Sequence, residues 1–360
     1  MPPRPPRSDL SLRSATLLDV ARDAGVSRAT ASRALAGSPR VSPDARDRVM
    51  ASAKRLQYQV NAAARSLRTS RTGLVGLLIP GYRNDLYGPI ADRLDARLRE
   101  HDLSVIIASS DWSAAGDLRI LESFASRRLE AMVLAPSIDQ SPALATYLGN
   151  VSTPVVLLDR QVPGLERDCV LTGLADGISD ALGRLAGLGH RRIAVTAYGP
   201  DLRPGREARR GFAEAVALHG LDQDQGLLVE ISQLHPREGV QVADALLDTR
   251  ATAAIIGGPT ALLAACLRRI RERLGRDGIP ERLSTIVIGD DLIADLHDPV
   301  LDLVSRPVDA IGDALADTLL ARLAQPAAPV RSITLPLQFR PGASVAPPAP
   351  RQPADKTPAG

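Results

Sequence analysis

The sequence is poor in cysteine and contains no long apolar run. Of 360 residues only Cys169 and Cys266 are cysteines, and neither has the Cys/His spacing of a metal or redox site. No apolar stretch approaches the roughly 20 residues of a membrane helix, and the opening "MPPRPPRSDLSLR" lacks the apolar region of a signal peptide. We therefore expect a cytoplasmic protein with no membrane partner and two buried, unreactive cysteines.

The motifs of common nucleotide-binding and hydrolytic enzymes are also missing. There is no G-x-G-x-x-G after a strand, no Walker A loop and no G-x-S-x-G elbow. The histidines are isolated, and the paired Asp290 and Asp291 lie at a strand end, where adjacent side chains point in opposite directions. The sequence predicts no cofactor, no metal site and no catalytic residue, so nothing in it requires an enzyme.

Lysine is scarce, since 42 of the 44 basic residues are arginine, and the charge is unevenly spread. Residues 1–72 hold 14 basic and 5 acidic side chains, a balance of +9, whereas the remaining residues hold 30 basic and 36 acidic ones, a balance of −6. A general preference for arginine would have raised the charge throughout. A basic N-terminal segment therefore indicates a nucleic-acid-binding module.

Three short helices are predicted in this basic segment. Each begins at a residue that can cap it, namely Thr16, Ser27 and Ser42. Gly25 and Gly37 supply the turns after the first and second helices. This order is typical of a helix-turn-helix bundle: a short helix, a glycine turn, a slim second helix and a longer third helix. We place the bundle at residues 15–60.

The second of these helices, in "GVSRATASRALAG", has one apolar and one slim polar face. At 100° per residue Ala31, Ala34 and Leu35 share the apolar face. The other face carries small or polar side chains and two arginines: Arg28, Ala29, Ser32 and Arg33. A slim helix fits the major groove, and a guanidinium matches guanine O6 and N7. This face predicts base contacts; the alternative is a solvated face in an arginine-rich chain.

From residue 73 onward, short aliphatic runs alternate with amphipathic segments. The runs lie at 73–80, 103–110, 130–136, 154–160, 191–197, 252–258, 284–291 and 301–307. This alternation predicts an α/β fold with parallel sheets and helices on both faces. The length of 73–340 favours two lobes, with ligands at the carboxyl ends of the strands. The proline-rich residues 1–14 and 341–360 are predicted to be disordered.

The head and body together resemble the lactose-repressor (LacI) family. The head resemblance lies in "TLLDVARDAGVSRATASRALAGSPRVSPDARDRVMASAKRLQYQVNAAARSL", and the body shows "GLVGLLIP", "PVVLLDR", "LGHRRIAV", "IGDD" and "VSRP" in the family's order. The resemblance covers about residues 16–340. It implies a helix-turn-helix head, a hinge at 61–72 and a core of two periplasmic-binding-protein-like lobes that binds a small effector and forms a homodimer.

The resemblance also implies roles in binding double-stranded DNA. Arg28, Ala29 and Arg33 match base-contacting positions. Thr16, Ser27, Thr30, Ser32 and Asn61 match positions that touch phosphates or cap helices. Arg65 and Leu67 match the hinge, where the leucine is wedged into the minor groove; the alternative is a linker residue that packs on the core. Val60, where the family usually has proline, departs from the pattern.

Eight further residues match the family's effector contacts: Asn84, Asp85, Tyr87, Asp111, Trp112, Asp159, Arg160 and Asp291. Other positions depart from the family, because Gly173-Leu174, Ala208 and Pro259 replace polar side chains. We therefore expect an effector other than a neutral monosaccharide, less hydroxylated or partly cationic. The alternative is that Arg206 or Arg209 supplies the missing polarity.

The sequence thus predicts a cytoplasmic transcriptional repressor that binds a palindromic operator as a homodimer under the control of a small effector. The C-terminal tail has no leucine heptad, so we expect a dimer and not a coiled-coil tetramer. The alternatives are an α/β enzyme with an appended DNA-binding head and a solute-binding protein, the latter disfavoured by the missing signal peptide.

Overall fold

The computed structural model describes residues 15–58, 71–232, 238–289 and 291–349. These residues fall into two compact units, the head and the core unit, divided between Thr72 and Gly73. Asn61, Arg65 and Leu67 lie outside the described residues, so their predicted hinge roles stay predictions.

The head contains the three expected helices, α1 (Leu17–Asp23), α2 (Arg28–Leu35) and α3 (Pro43–Arg55). All three predicted caps are present. Thr16 and Asp19 form a reciprocal capping box, Ser27 Oγ accepts from Thr30 N at 3.0 Å, and Ser42 Oγ accepts from Ala45 N at 3.4 Å. These bonds satisfy backbone donors that a helix start leaves free, so each helix begins where its sequence signal predicts.

The core of the head is built almost entirely from alanine and valine. Its buried members are Val20, Ala21, Ala24, Ala31, Ala34, Val41, Ala45, Val49 and Ala53. A polar contact joins α1 to α3, since Ser52 Oγ donates to Asp23 Oδ2 at 2.6 Å and Arg55 pairs with the same carboxylate. Hydrogen bonds from Ser52 and Arg55 hold the pKa of Asp23 below its usual value.

The core unit contains two six-stranded sheets. In the first, all strands are parallel, in the order β11-β5-β4-β3-β1-β2. Its strands are β1 (Leu74–Ile79), β2 (Ser104–Ser109), β3 (Ala131–Leu134), β4 (Val155–Leu158), β5 (Asp168–Thr172) and β11 (Ser332–Leu335). With α4 (Tyr87–Arg99), α5 (Ala114–Ser126), α6 (Pro142–Asn150) and α13 (Val308–Ala324) it forms the first lobe.

The second sheet has the order β12-β10-β9-β8-β6-β7, parallel except for the β10–β12 pair. Its strands are β6 (Ile193–Tyr198), β7 (Leu228–Ile231), β8 (Ala253–Gly257), β9 (Ser284–Gly289), β10 (Asp302–Ser305) and β12 (Gln338–Arg340). The second lobe adds α7 (Leu174–Gly187), α8 (Arg203–His219), α9 (Glu238–Asp248), α10 (Thr260–Leu274), α11 (Gly278–Glu281) and α12 (Asp291–Leu296).

Alternating side chains on the strands fill a core on each face of the first sheet. In β1, Val75 and Leu77 enter one core and Leu78 enters the other, as the two-residue period of a strand requires. The chain passes between the lobes after β5, after β10 and after β11. The predicted α/β architecture with two parallel-sheet lobes is confirmed. Within the described residues, no helix is both long and apolar enough to cross a membrane.

The prediction that the chain is disordered from residue 341 is wrong for residues 341–349. Ser344 is fully buried, donates its N–H to Asp302 Oδ2 at 3.0 Å, and its Oγ accepts from Asp302 N at 2.7 Å. Thr285 N donates to Ser344 O at 2.9 Å, and Ala343 N donates to Val300 O at 2.7 Å. The proline-rich composition suggested disorder, but one serine satisfies buried polar groups at the start of β10 and so anchors the segment.

Removal of the Ser344 hydroxyl should destabilise the core unit. Ser344→Ala leaves Asp302 N without its acceptor, which should cost about 1–3 kcal/mol of the free energy of unfolding. Urea denaturation followed by circular dichroism measures this, with exposed Ser152→Ala as the matched control. Equal stability of both variants would show that the segment is not anchored through this side chain.

Candidate functional site: a DNA-contact helix and a ligand cleft

Helix α2 presents the predicted slim face to solvent. Ala31 and Ala34 are buried in the head and Leu35 packs partly against the same core. Arg28, Ala29 and Arg33 are exposed and Ser32 is half-buried. Arg33 Nε donates to Ala29 O at 3.2 Å, which holds the side chain along the helix and leaves its terminal nitrogens available. This geometry suits a helix that reads base edges.

The hydroxyl residues of the predicted DNA surface cap helices. Thr16 Oγ1 donates to Asp19 Oδ2 at 2.7 Å, and Ser27 Oγ lies 2.9 Å from Thr30 Oγ1. A capped helix start also presents backbone N–H groups, which favour a phosphate at that place. Capping and phosphate contact are therefore compatible roles at Thr16 and Ser27.

In the core unit, a cleft of about 680 Å³ lies between the two lobes, at the carboxyl ends of their strands. It narrows into a smaller inner pocket of about 40 Å³ that shares Trp112, Tyr198 and Leu202 with it. Ligands bind at this edge of parallel sheets because the chain leaves each strand there and loops of varied sequence converge.

Six of the eight predicted effector contacts line this cleft: Asn84, Tyr87, Asp111, Trp112, Asp159 and Arg160. Asp85 is exposed and is not part of the lining. Asp291 is also not part of it, because it lies on exposed α12 and approaches Arg340 at 3.6 Å. The prediction of a ligand contact does not fit these two residues.

Asp159 is already neutralised by the protein. Arg203, the first residue of α8, donates from Nη1 to Asp159 Oδ1 at 2.5 Å, and Thr172 donates its N–H and its hydroxyl to the same oxygen at 3.0 Å. Arg203 Nη2 also donates to Thr172 O at 3.2 Å. Because Asp159 follows β4 and Arg203 begins α8, this buried pair joins the two lobes.

A second ion pair joins the same two lobes, from the loop after β3 to α8. Arg206 donates two hydrogen bonds to the fully buried Asp139, at 2.9 and 3.0 Å. The Asp139 carboxylate also accepts the backbone N–H groups of Gln161 and Arg203. The alternative that Arg206 or Arg209 supplies polarity to a ligand does not fit their contacts, since Arg206 is held by Asp139 and Arg209 Nη2 donates to Glu230 at 2.8 Å.

The backbone at the cleft is strained at Asp111 and Trp112. Their φ values are +53° and +57°, a conformation that costs a bulky residue roughly 1–3 kcal/mol. Trp112 N donates to Pro80 O at 2.8 Å, which holds the turn. The Trp112 indole lies against Gly81. A Cβ atom at residue 81 would be 2.5 Å from Trp112 Nε1, so glycine at this position leaves room for the ring in the cleft.

Tyr198 and Arg306 belong to the cleft and were not predicted from the sequence. Both lie at the carboxyl end of a strand that the sequence did predict, Tyr198 at the end of β6 and Arg306 directly after β10. The strand-end rule could therefore have found them. Arg203 and Asp139 had no comparable signal, because their roles depend on contact between the lobes.

The two buried tyrosines of the cleft, Tyr87 and Tyr198, are neutral donors. Burial raises the pKa of Tyr198 to about 12, although the charge of Arg306 acts in the opposite direction. Burial also raises the pKa of Tyr87, against the charge of Arg160. Both phenols therefore keep their protons at neutral pH. Four of the six tyrosine and tryptophan residues of the chain line this cleft: Tyr82, Tyr87, Trp112 and Tyr198.

The head is a helix-turn-helix bundle with an exposed arginine-bearing helix, and the core has two lobes with a ligand cleft between them. This combination defines a class of protein: DNA-binding regulators that respond to a small molecule. Comparison with known proteins agrees. Residues 16–61 match the family model of bacterial regulatory proteins, lacI family, and residues 182–345 match that of the periplasmic binding protein-like domain. The chain thus carries a lacI-type DNA-binding domain and a periplasmic-binding-protein-like domain, and its relatives include LacI-family transcriptional regulators.

Individual relatives share this arrangement over most of their length. The HTH-type transcriptional regulator DegA of Bacillus subtilis (strain 168) is 26% identical over 300 residues, which are 82% of this chain and 88% of DegA. The structure of the transcriptional regulator CelR in complex with cellobiose is 26% identical, has a TM-score of 0.69 and covers 92% of this chain and 99% of its own. The structure of the lac repressor dimer bound to operator shares the fold, with a TM-score of 0.79. It is 20% identical and covers 93% of this chain and 100% of its own.

Arg33→Ala should relax base preference at one position in each half of the binding site. Loss of a bidentate guanine contact costs about 1–3 kcal/mol for the preferred base and little for the others. Selection of bound duplexes from a random pool by the full chain measures this preference. Arg48→Ala, an exposed arginine on α3 that lies 3.9 Å from Asp44, is the control and should leave base preference unchanged. Uniform weakening by Arg33→Ala would identify a phosphate contact instead.

Proposed function

We propose that this protein is a transcriptional repressor that binds a palindromic operator as a homodimer and changes its DNA affinity when a small molecule enters the cleft. The observation that carries the proposal is helix α2, whose exposed face combines Arg28 and Arg33 with small residues in the basic part of the chain. A protein that acts on DNA works where the DNA is, so we place it in the cytoplasm.

A dimer would explain a palindromic site. Two copies related by a two-fold axis present two α2 helices to half-sites about one turn of DNA apart. The lac repressor structure that shares the fold is itself described as a dimer bound to operator.

The first experiment sequences genomic DNA fragments that the purified full chain retains. We expect enrichment of one inverted repeat, and loss of that enrichment when Arg28 and Arg33 are both replaced by alanine. Retention without sequence preference would contradict the proposed function. Turnover of a small molecule by the purified chain would instead support the enzyme alternative.

The second lobe offers a surface for the partner copy. Leu296 on α12 is 77% exposed and Leu292, one turn earlier, is 61% exposed, while Val300 beyond the helix is 41% exposed. Residues four apart lie on one face of a helix, so the two leucines form a small apolar patch. Arg340, which pairs with Asp295, adds a polar rim beside it. An apolar centre with a polar rim is the usual anatomy of a protein interface.

Leu296→Asp should weaken the dimer, because it places a charge in the centre of this patch. Multi-angle light scattering at micromolar concentration should show a dimer for the unmodified protein and a monomer for the variant. Leu218→Asp, at a leucine of α8 that is 75% exposed, is the matched control and should remain dimeric. A dimeric Leu296→Asp, or a tetramer for the unmodified protein, would contradict this assignment.

The cleft is the proposed effector site. Its volume of about 680 Å³ is in the range of small-molecule sites, and its aromatic side chains offer flat apolar surfaces. CelR, which is 26% identical, is described as a complex with cellobiose. We infer that this chain uses the corresponding cleft for a small molecule whose chemistry follows from its own lining residues.

A further inference from the structure

Among the residues that the structure describes, the inner pocket has more positive than negative charge that is left without an ion-pair partner. Its charged lining residues are Asp159, Arg160 and Arg306. Arg203 already neutralises Asp159 at 2.5 Å. The two remaining guanidiniums therefore leave the pocket positive.

In the part of the chain that the structure describes, no acid pairs directly with Arg160 or Arg306. The buried Asp117 acts on Arg160 only at longer range, and its carboxylate accepts from Ser137 N at 2.8 Å. Glu238 lies close enough to influence Tyr198, but its carboxylate accepts from Ser232 N and Ser232 Oγ at 2.6 and 2.8 Å. Asp139 is held by Arg206. Among the described residues, no carboxylate lies within 4.0 Å of a guanidinium nitrogen of Arg160 or Arg306.

Arg160 is 3% exposed and is held in place by backbone oxygens. Its Nε donates to Pro136 O at 2.8 Å and its Nη1 donates to Asp159 O at 2.9 Å. Its charge also lies close enough to Tyr87 to oppose the rise in the pKa of that phenol. These neutral acceptors orient the guanidinium without cancelling its charge, and a buried charge without a counter-ion is costly.

Arg306 has donor capacity to spare. Its Nε is buried and has no hydrogen-bond partner among the residues that the structure describes. Such a group loses its water without gaining an acceptor, a cost that a ligand acceptor would remove. Arg306 lines the inner pocket together with Tyr87 and Tyr198, so the charged and neutral donors converge on one small space.

The size of that space limits the acceptor. A volume of about 40 Å³ corresponds to roughly three water-sized spheres, enough for a carboxylate but not for a whole sugar ring. Guanidinium and carboxylate are matched in geometry and can form two parallel hydrogen bonds. The outer cleft, with Tyr82 and Trp112 in its walls, has room for the rest of a small molecule.

Apart from Asp159, which is paired with Arg203, the acids that line the cleft lie at its outer part. Asp111 and Asp201 are exposed lining residues of the larger cavity, and Glu230 beside them is paired with Arg209. A ligand with one anionic end would therefore enter with that end toward the arginines. The expectation of a partly cationic effector rested on an acid-rich set of contacts, but Asp159 is neutralised and Asp85 and Asp291 lie outside the cleft.

We propose that the effector is a small carboxylic acid, such as a sugar acid, whose carboxylate binds in the inner pocket between Arg160 and Arg306. The body of the ligand lies against Tyr82 and Trp112 in the outer cleft. This inference rests on the proposed function in one respect, that binding of the acid changes DNA affinity and so makes the ligand an effector. The cleft would bind the acid whatever the head binds.

The test compares acids with their neutral counterparts by isothermal titration calorimetry of the full chain in a buffer without carboxylate or phosphate. The pairs are D-glucuronate with D-glucose, D-galacturonate with D-galactose, and D-gluconate with D-glucitol. At least one acid should bind at least tenfold more tightly than its neutral partner. Arg306→Gln should weaken binding of that acid by tenfold or more, since it removes the charge from one of the two guanidiniums that bind the carboxylate.

Arg271→Gln is the matched control, because Arg271 is an exposed arginine of α10 that does not line the cleft, and it should change acid binding by less than threefold. Operator binding and the thermal midpoint of Arg306→Gln without ligand check that it folds. Three results would overturn the inference: no acid of the panel binds, a neutral partner binds as tightly as its acid, or Arg306→Gln binds the acid normally. Failure of operator binding with intact acid binding would overturn the proposed function alone.

Discussion

Arg203 and Asp159 form an ion pair that is almost completely removed from solvent, with exposures of 5% each. The two residues come from different lobes, so this pair, together with Arg206 and Asp139, holds the lobes to each other beside the cleft. A buried ion pair is stable only when its remaining donors and acceptors are satisfied. Here Thr172 contributes its N–H, its hydroxyl and its carbonyl oxygen to the pair.

The same pair determines the charge of the cleft. With Asp159 neutralised, Arg160 and Arg306 are left facing two phenols whose pKa values burial keeps high. The pocket therefore offers donors and little acceptor capacity. If Arg203 were absent, Asp159 would be available to Arg160 and Arg306, and the same lining residues would suit a neutral or cationic group instead. One contact between the lobes thus sets which ligands the cleft can accept.

The head follows a different principle, in which side-chain size is the constraint. Its core consists of alanine and valine, so the three helices approach closely and hydroxyl caps define where each begins. Small side chains make both faces of α2 what they are. Ala31 and Ala34 let the buried face pack closely, and Ala29 and Ser32 keep the exposed face slim. Arg28 and Arg33 are then the long side chains on an otherwise slim, exposed face.

Much of this protein could be predicted from its sequence because the signals are local. Helix caps, the period of α2 and the aliphatic runs depend on neighbouring residues, and all of them correspond to elements of the structure. Strands β5, β7, β11 and β12 were not predicted, because they are short and lack a clear apolar run. The segment at Ser344 was predicted to be disordered, since composition does not reveal a single serine that satisfies buried groups 42 and 59 residues away.

The sequence by itself determined the fold class, the exposed arginine-bearing face of α2 and six of the residues that line the cleft, since strand ends and helical periods depend on neighbouring residues. Only the tertiary structure decided which of the charged residues remain available to a ligand. Asp159 is neutralised by a residue 44 positions later, Asp291 turns to Arg340, and Arg306 is left without a counter-ion among the described residues. Electrostatic pairing depends on distance in space, which the order of residues along the chain does not contain.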